Sequence, residues 1–368
     1  MDEKIDPWGN ELVADYEKLF TEFGMKFIDD TLLARIKNKH RLLRRGILFA
    51  HRDLDKFLDA RDKKEPLAAM SGIKPSSDFH FGSKMTAEEL IFLQQEFGAK
   101  VFYAVANLEA YADNGLSLEE GRRNAISNVS DLLALGLDPR NAYIYEQSEQ
   151  KSVMNLAYLF ARRTTMATLQ ALYGERNIGL YFSTLTQSGD ILLPQLKEFG
   201  GPKQVIVPVG IDQDPHIRLC RDLAAKFQQD YGFRVPGATY HKFMRSLNGE
   251  SKMSKRDPMC MLGMGDDPEL AYKKVMATFT GGRSTVEEQK RLGGEIEKCV
   301  IFELYTFHFE EDDKALKERH KACTTGKLLC GECKSECAKR ARDYLRAHQE
   351  KKRKLLAKAE ALLENGKK

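Results

Sequence analysis

The stretch Gln204-Val205-Ile206-Val207-Pro208-Val209-Gly210 limits the possible folds more than any other part of this chain. Its apolar residues follow one another without alternation, as in a strand covered on both faces at the centre of a parallel sheet. Val101-Phe102-Tyr103-Ala104-Val105 has the same character, and Asn141 to Tyr145 reads as a shorter strand. Helical patterns lie between them, from about Thr86 to Phe97 and from Val153 to Leu172. Another opens on the capping box Ser117-Leu118-Glu119-Glu120 and continues through Ile126, Val129, Leu132 and Leu133 to a stop at Gly136. Strands alternating with helices predict an α/β fold, a doubly wound Rossmann-like parallel sheet with ligands at the carboxyl ends of its strands.

With 368 residues, 42% of them hydrophobic, the chain can bury two unequal cores. The expected organisation is an N-terminal appendage over 1–62 holding the only tryptophan, Trp8, and a Rossmann-type catalytic domain over 63–262 with a helical insertion at about 110–180. An all-helical domain over 263–368 completes it. In the appendage, His51 beside Arg52 and Asp53 reads as a surface salt-bridge cluster. No run of 18 apolar residues occurs, nor a basic start followed by a short apolar stretch, so a soluble cytoplasmic protein without membrane contact is expected. The net charge of +4 is mild, but Lys339 to Lys368 carries eleven Lys or Arg against four Asp or Glu, a balance of +7 that leaves −3 for the rest. Such a tail suits a polyanion such as RNA, although a solvated helix face has the same composition.

Three stretches carry candidate chemistry. Ser71 to Lys84, with Pro75-Ser76-Ser77 and His80-Phe81-Gly82-Ser83, reads as a phosphate-facing loop entering a helix, where free N–H groups and partial positive charge favour anions. After the central strand come Gly210, where a ligand can approach the backbone, and Asp212, whose carboxylate can accept from ribose hydroxyls. Lys252-Met253-Ser254-Lys255-Arg256 describes a loop able to close over phosphate and hold a leaving pyrophosphate.

In this order the three stretches resemble the signatures of class I aminoacyl-tRNA synthetases. Pro7-Trp8, Arg44-Arg45-Gly46, Asp212-Gln213-Asp214-Pro215, Thr280-Gly281-Gly282-Arg283 and Glu310 to Lys314 extend the likeness over nearly the full length, to tryptophanyl-tRNA synthetases of the archaeal and eukaryotic kind. The resemblance implies a homodimer that joins tryptophan to tRNA(Trp) through a tryptophanyl-adenylate, consuming ATP with Mg²⁺ and releasing AMP and pyrophosphate. It implies that His80, Lys252 and Lys255 act on the phosphates. Pro75, Ser76, Ser77, Gly82, Ser83, Gly210, Asp212, Met253, Ser254 and Arg256 would line the ATP site. Glu109, Gln187 and Gln213 would hold the α-amino and carboxylate groups. Ser83 and Arg256 depart from the usual histidine or asparagine and serine of those signatures.

The side-chain pocket departs further. Met70 and Ala104 stand where the eukaryotic kind has a tyrosine and a glutamine on the indole N–H, while Asp190 matches an acidic residue that bacterial tryptophan enzymes aim at that donor. Tyrosine enzymes place an Asp nearby too, so tyrosine–tRNA ligase is an alternative, as is a non-catalytic RNA-binding paralogue. Cys299, Cys323, Cys330 and Cys333, separated by 23, 6 and 2 residues, suit zinc or an iron–sulfur cluster such as some bacterial relatives carry. Cys337 at helical spacing after Cys333 suits reduced core thiols instead, and no metal is assigned.

Overall fold

The computed structural model describes residues 24–249 and 258–366, so Trp8 and the Lys252 to Arg256 stretch lie outside the described residues. A seven-stranded sheet organises the rest, in the order β1-β2-β7-β6-β3-β4-β5. The strands are β1 (Lys26–Phe27), β2 (Leu48–Arg52), β3 (Leu67–Ile73), β4 (Lys100–Val105), β5 (Ala142–Glu146), β6 (Gln204–Gly210) and β7 (Gly237–His241). β7 to β5 are mutually parallel, and β1 and β2 add an antiparallel edge. That edge comes from within the expected appendage, so residues 24–62 share the sheet of the catalytic region.

Side chains alternate cleanly across the sheet. Ala69, Ile73, Val101, Tyr103, Val105 and Ile206 enter one core, while Ala68, Met70, Phe102, Ala104, Val205, Val207 and Val209 enter the other. The first core is covered by the helices Leu54–Asp62, Phe81–Phe97 and Leu118–Leu135, and the second by Lys151–Arg162, Met166–Tyr173, Ile178–Leu192 and Asp214–Lys226. The C-terminal helices join the first core through Leu304, Tyr305, Ala341 and Leu345. The longest of them, Cys330–Asn365, packs along Leu118–Leu135.

Several expectations need correction. Ser71-Gly72-Ile73, expected in a loop, closes β3, and the following helix begins at Phe81 rather than near Thr86 because the His80 side chain caps it. The single helix expected over Val153 to Leu172 is two, since the Thr165 side chain accepts from the Thr168 N–H and starts a second helix at Met166. His51 is buried, not on the surface, and its Nδ1 accepts from the Leu54 N–H at 3.1 Å. The Ser117 capping box and the Gly136 stop are present as expected.

Candidate active site

The strand order reverses between β6 and β3, and the two separate there. Their pairing ends at Ala69 opposite Ile206, and Pro208 has no N–H with which to continue it. Beyond that point Ser71 Oγ donates to the Pro208 carbonyl at 3.4 Å. A crevice at the carboxyl ends of strands whose order reverses is where α/β sheets hold ligands. Here it opens into a cavity of about 460 Å³.

One end of the cavity is the start of the Phe81–Phe97 helix. His80 Nδ1 accepts from the Ser83 N–H at 3.3 Å, and His80 Nε2 lies 3.3 Å from Ser83 Oγ. The imidazole folds back over Gly82 so closely that a Cβ there would stand 2.8 Å from His80 Cε1 and 2.9 Å from Nδ1. His-x-Gly is therefore one packed unit, with the glycine making room for the ring. Gly72 serves similarly at the end of β3, where a Cβ would meet the Ala104 carbonyl oxygen at 2.5 Å. Phe81 N–H donates to the Leu262 carbonyl at 3.0 Å and Met264 N–H to the Phe79 carbonyl at 2.7 Å. Leu247 N–H donates to the Cys260 carbonyl at 2.8 Å, so the described flanks of the Lys252 to Arg256 stretch meet each other beside His80.

The other end is apolar, with Met70, Ala104 and Ile191 in its wall, and closes on a buried polar group. Asp190 lies inside the Ile178–Leu192 helix, not at a cap. Tyr145 Oη donates to its Oδ1 at 2.8 Å and Gln147 Nε2 to its Oδ2 at 2.5 Å. Burial pushes the Asp190 carboxyl up to about 7, against the two hydrogen bonds that draw it down. Tyr145, with burial and the Asp190 charge acting together, is raised well above the usual phenol range and stays a donor.

Of the residues expected at the site, Ser76, His80, Gly82, Ser83, Glu109, Gln187, Asp190, Gly210, Asp212 and Gln213 all line this one cavity. Pro75 and Ser77 belong to the same turn without forming its wall; the Pro75 carbonyl accepts from Asn124 Nδ2 at 2.9 Å. Lys252, Met253, Ser254, Lys255 and Arg256 lie outside the described residues. Asp214 turns away from the cavity into a buried cluster, accepting from Arg52 Nε at 2.8 Å and Tyr240 Oη at 2.6 Å. Lys74, Gln147, His241 and Phe243 line the cavity although sequence reading passed them over. Gln147 and His241 sit at the carboxyl ends of β5 and β7, so the strand-end rule itself could have found them.

The four spaced cysteines are near one another. Burial, with Cys299 and Cys330 adding to it, raises the Cys323 thiol, and Cys333 is pushed up to about 11 by burial despite the Arg319 guanidinium beside it. Among the described residues, however, no three His, Cys, Asp or Glu side chains are grouped so as to hold a metal ion.

A His80-capped helix start and an apolar end, joined at the switch point of a parallel sheet, are the layout of a catalytic domain of the class I synthetase kind. Residues 62–346 match the family of tRNA synthetases class I (W and Y), and the chain belongs to that family. Among curated relatives, the Tryptophan--tRNA ligase of Hyperthermus butylicus is 42% identical, covering 94% of this chain and 94% of its own, and that of Archaeoglobus fulgidus is 39% identical over 94% and 96%. The crystal structure of tryptophanyl-tRNA synthetase from Aeropyrum pernix superposes with a TM-score of 0.91 at 39% identity, over 97% of this chain and 98% of that one.

Proposed function

We propose that this chain attaches tryptophan to tRNA(Trp) in two steps, forming tryptophanyl-adenylate from ATP and then esterifying the terminal ribose of the tRNA. The observation that carries this reading is the two-ended cavity: a capped helix start for phosphate at one end, and at the other an apolar slot closed by buried acceptors. Full-length likeness to curated tryptophan ligases supports the same substrate.

ATP enters as its Mg²⁺ complex, with the metal carried on the phosphates. The tryptophan carboxylate attacks the α-phosphorus, the α–β bridging P–O bond breaks, and pyrophosphate leaves with the electron pair. No side chain need form a covalent bond, so catalysis is positioning and charge stabilisation. His80 and the N–H of Gly82 face the phosphates, while Gly210, Asp212 and the Ser83 hydroxyl meet the adenosine. Glu109, Gln187 and Gln213 hold the α-amino and carboxylate groups. Lys252 and Lys255, with Met253, Ser254 and Arg256, are assigned to the pyrophosphate and ATP from sequence alone.

The reaction's substrates suit the cytoplasm, and among the described residues no helix is long and apolar enough to cross a membrane. The basic helix Cys330–Asn365 supplies phosphate contacts for tRNA. A second copy of the chain covers the exposed apolar side chains Tyr158, Ile178, Tyr111 and Met166 on the adjoining helices of the 110–180 region.

Pyrophosphate exchange into ATP, with tryptophan or tyrosine added singly, tests the reading. Exchange with tryptophan alone is expected. Exchange with tyrosine alone would overturn the specificity, and exchange with neither would overturn the activity.

A further inference from the structure

The acidic residue expected to meet the indole N–H already has a donor on each carboxylate oxygen. Tyr145 Oη holds Asp190 Oδ1 and Gln147 Nε2 holds Oδ2. This fixes the Gln147 amide, because only its nitrogen can face a carboxylate, and its carbonyl must turn the other way. That carbonyl oxygen, Oε1, is buried and has no hydrogen-bond partner among the described residues. Gln147 is only 2% exposed, yet it lines the cavity beside Ala104, whose strand pairs with β5 at Tyr145. A buried carbonyl without a donor is unfavourable in the empty protein and is satisfied when a ligand brings one.

Resting on the functional reading above, we propose that Gln147 is a specificity-determining residue whose Oε1 accepts the ring N–H of bound tryptophan, while Asp190 and Tyr145 act as positioning residues that hold the amide in that orientation. The arrangement also disfavours a phenol. An indole nitrogen only donates, whereas a phenol oxygen has lone pairs that need donors as well. The Tyr145 O–H and one of the two Gln147 N–H groups are committed to Asp190, so of these three side chains only the second N–H of the same amide is left to donate to a phenol oxygen.

The test compares two ligands of one shape. Dissociation constants are measured for tryptophan and for β-(3-benzothienyl)alanine, in which sulfur replaces the ring N–H, on the wild type and on Gln147→Met. The wild type is expected to prefer tryptophan by ~10–100-fold, and Gln147→Met to lower that preference to within about threefold. The same preference in Gln147→Met as in the wild type would overturn the inference and return the N–H to Asp190. Should Gln147→Met not fold, Gln147→Asn withdraws the carbonyl by one methylene and is read by the same two outcomes. A wild type that binds both ligands equally overturns the inference and leaves the ligase reading standing; one that binds neither overturns both.

Discussion

Asp190 makes the sharpest prediction. Its carboxyl, ordinarily near 3.8, is pushed up to about 7 by burial in the folded protein. Because the folded value exceeds the unfolded one, its contribution to stability is whole below pH 3.8 and is lost as pH rises through 7. A shift of this size corresponds to about 4 kcal/mol in full, of which about 2.5 to 3 kcal/mol accrues between about pH 5 and 8.5. Asp190→Asn keeps the shape and removes the titration. It also costs an acceptor for Tyr145 or Gln147, but that offset does not vary with pH. The measurement is the unfolding free energy of wild type and variant in urea, without ligand, at steps across that range. Other groups titrate in both proteins and cancel in the difference. The difference should move toward the variant by about 2.5 to 3 kcal/mol as pH rises. A difference flat with pH, or moving toward the wild type, would refute the claim that Asp190 is buried and reluctantly ionised. Tryptophan affinity should follow the same group, weakening in the wild type as pH falls below about 7. A protonated Asp190 has an O–H to satisfy, and the Gln147 amide can accept it only by turning its carbonyl from the ligand to Asp190.

Gly82→Ala places a Cβ against the His80 ring and displaces it. Since misplacement by about 1 Å can cost 100-fold, adenylate formation should slow by roughly that factor with the unfolding midpoint little changed; an unaltered rate would refute the packed His-x-Gly unit. His80→Ala should slow pyrophosphate exchange at least about tenfold, within the usual range for removing one such group, and Ser83→Ala should cost less. Equal effects would mean that the loop is misassigned. Arg41→Ala removes a buried guanidinium and leaves the half-buried Glu88 carboxylate with Lys84 as its remaining close cation, which should cost about 3–5 kcal/mol in urea unfolding. A loss under about 1 kcal/mol would show the pair to be solvated.

What could be read in the sequence was what is decided locally. The runs at β4 and β6 are apolar because both faces of the sheet are covered, and the Ser117 box and Gly136 stop are set by neighbours within four residues. β3 escaped because Leu67-Ala68-Ala69-Met70-Ser71-Gly72-Ile73 has weak strand propensity and a glycine near its end. It is held as a strand by parallel partners on both sides, β4 and β6, which come later in the chain. The true helix start at Phe81 escaped for a related reason, since histidine is an unusual cap and Thr86 offers a more familiar one. Asp190 was visible as a residue but not in its partners. Tyr145 and Gln147 lie 45 and 43 residues away, and only the fold brings them to it.

The C-terminal helices bear directly on where His80 sits. Lys84, one turn into the helix that His80 caps, is fully buried, with Nζ 2.6 Å from Glu88 Oε1 and 3.4 Å from His308 Nδ1. Burial, with the Lys84 and Arg41 cations adding to it, drives the His308 imidazole well below its ordinary value, so the ring is neutral and its Nδ1 can accept from the ammonium. Phe81 meets the His308 ring edge-on at 4.9 Å, and Tyr344 from the longest helix lies under Lys84 at 5.3 Å. Arg41 closes the cluster by donating to the Phe307 carbonyl and to Glu311, both at 2.8 Å. A buried charge tolerates little displacement, because moving one partner strands the other. The start of the His80 helix is therefore fixed from two sides, by β3 before it and by residues 307–344 packed beneath it. A change in the helical region that shifts His308 or Tyr344 moves the His80 end of the cavity, and the far end of the longest helix reaches toward the Asp190 end through β5, where Tyr143 Oη donates to the Gly366 carbonyl at 3.4 Å.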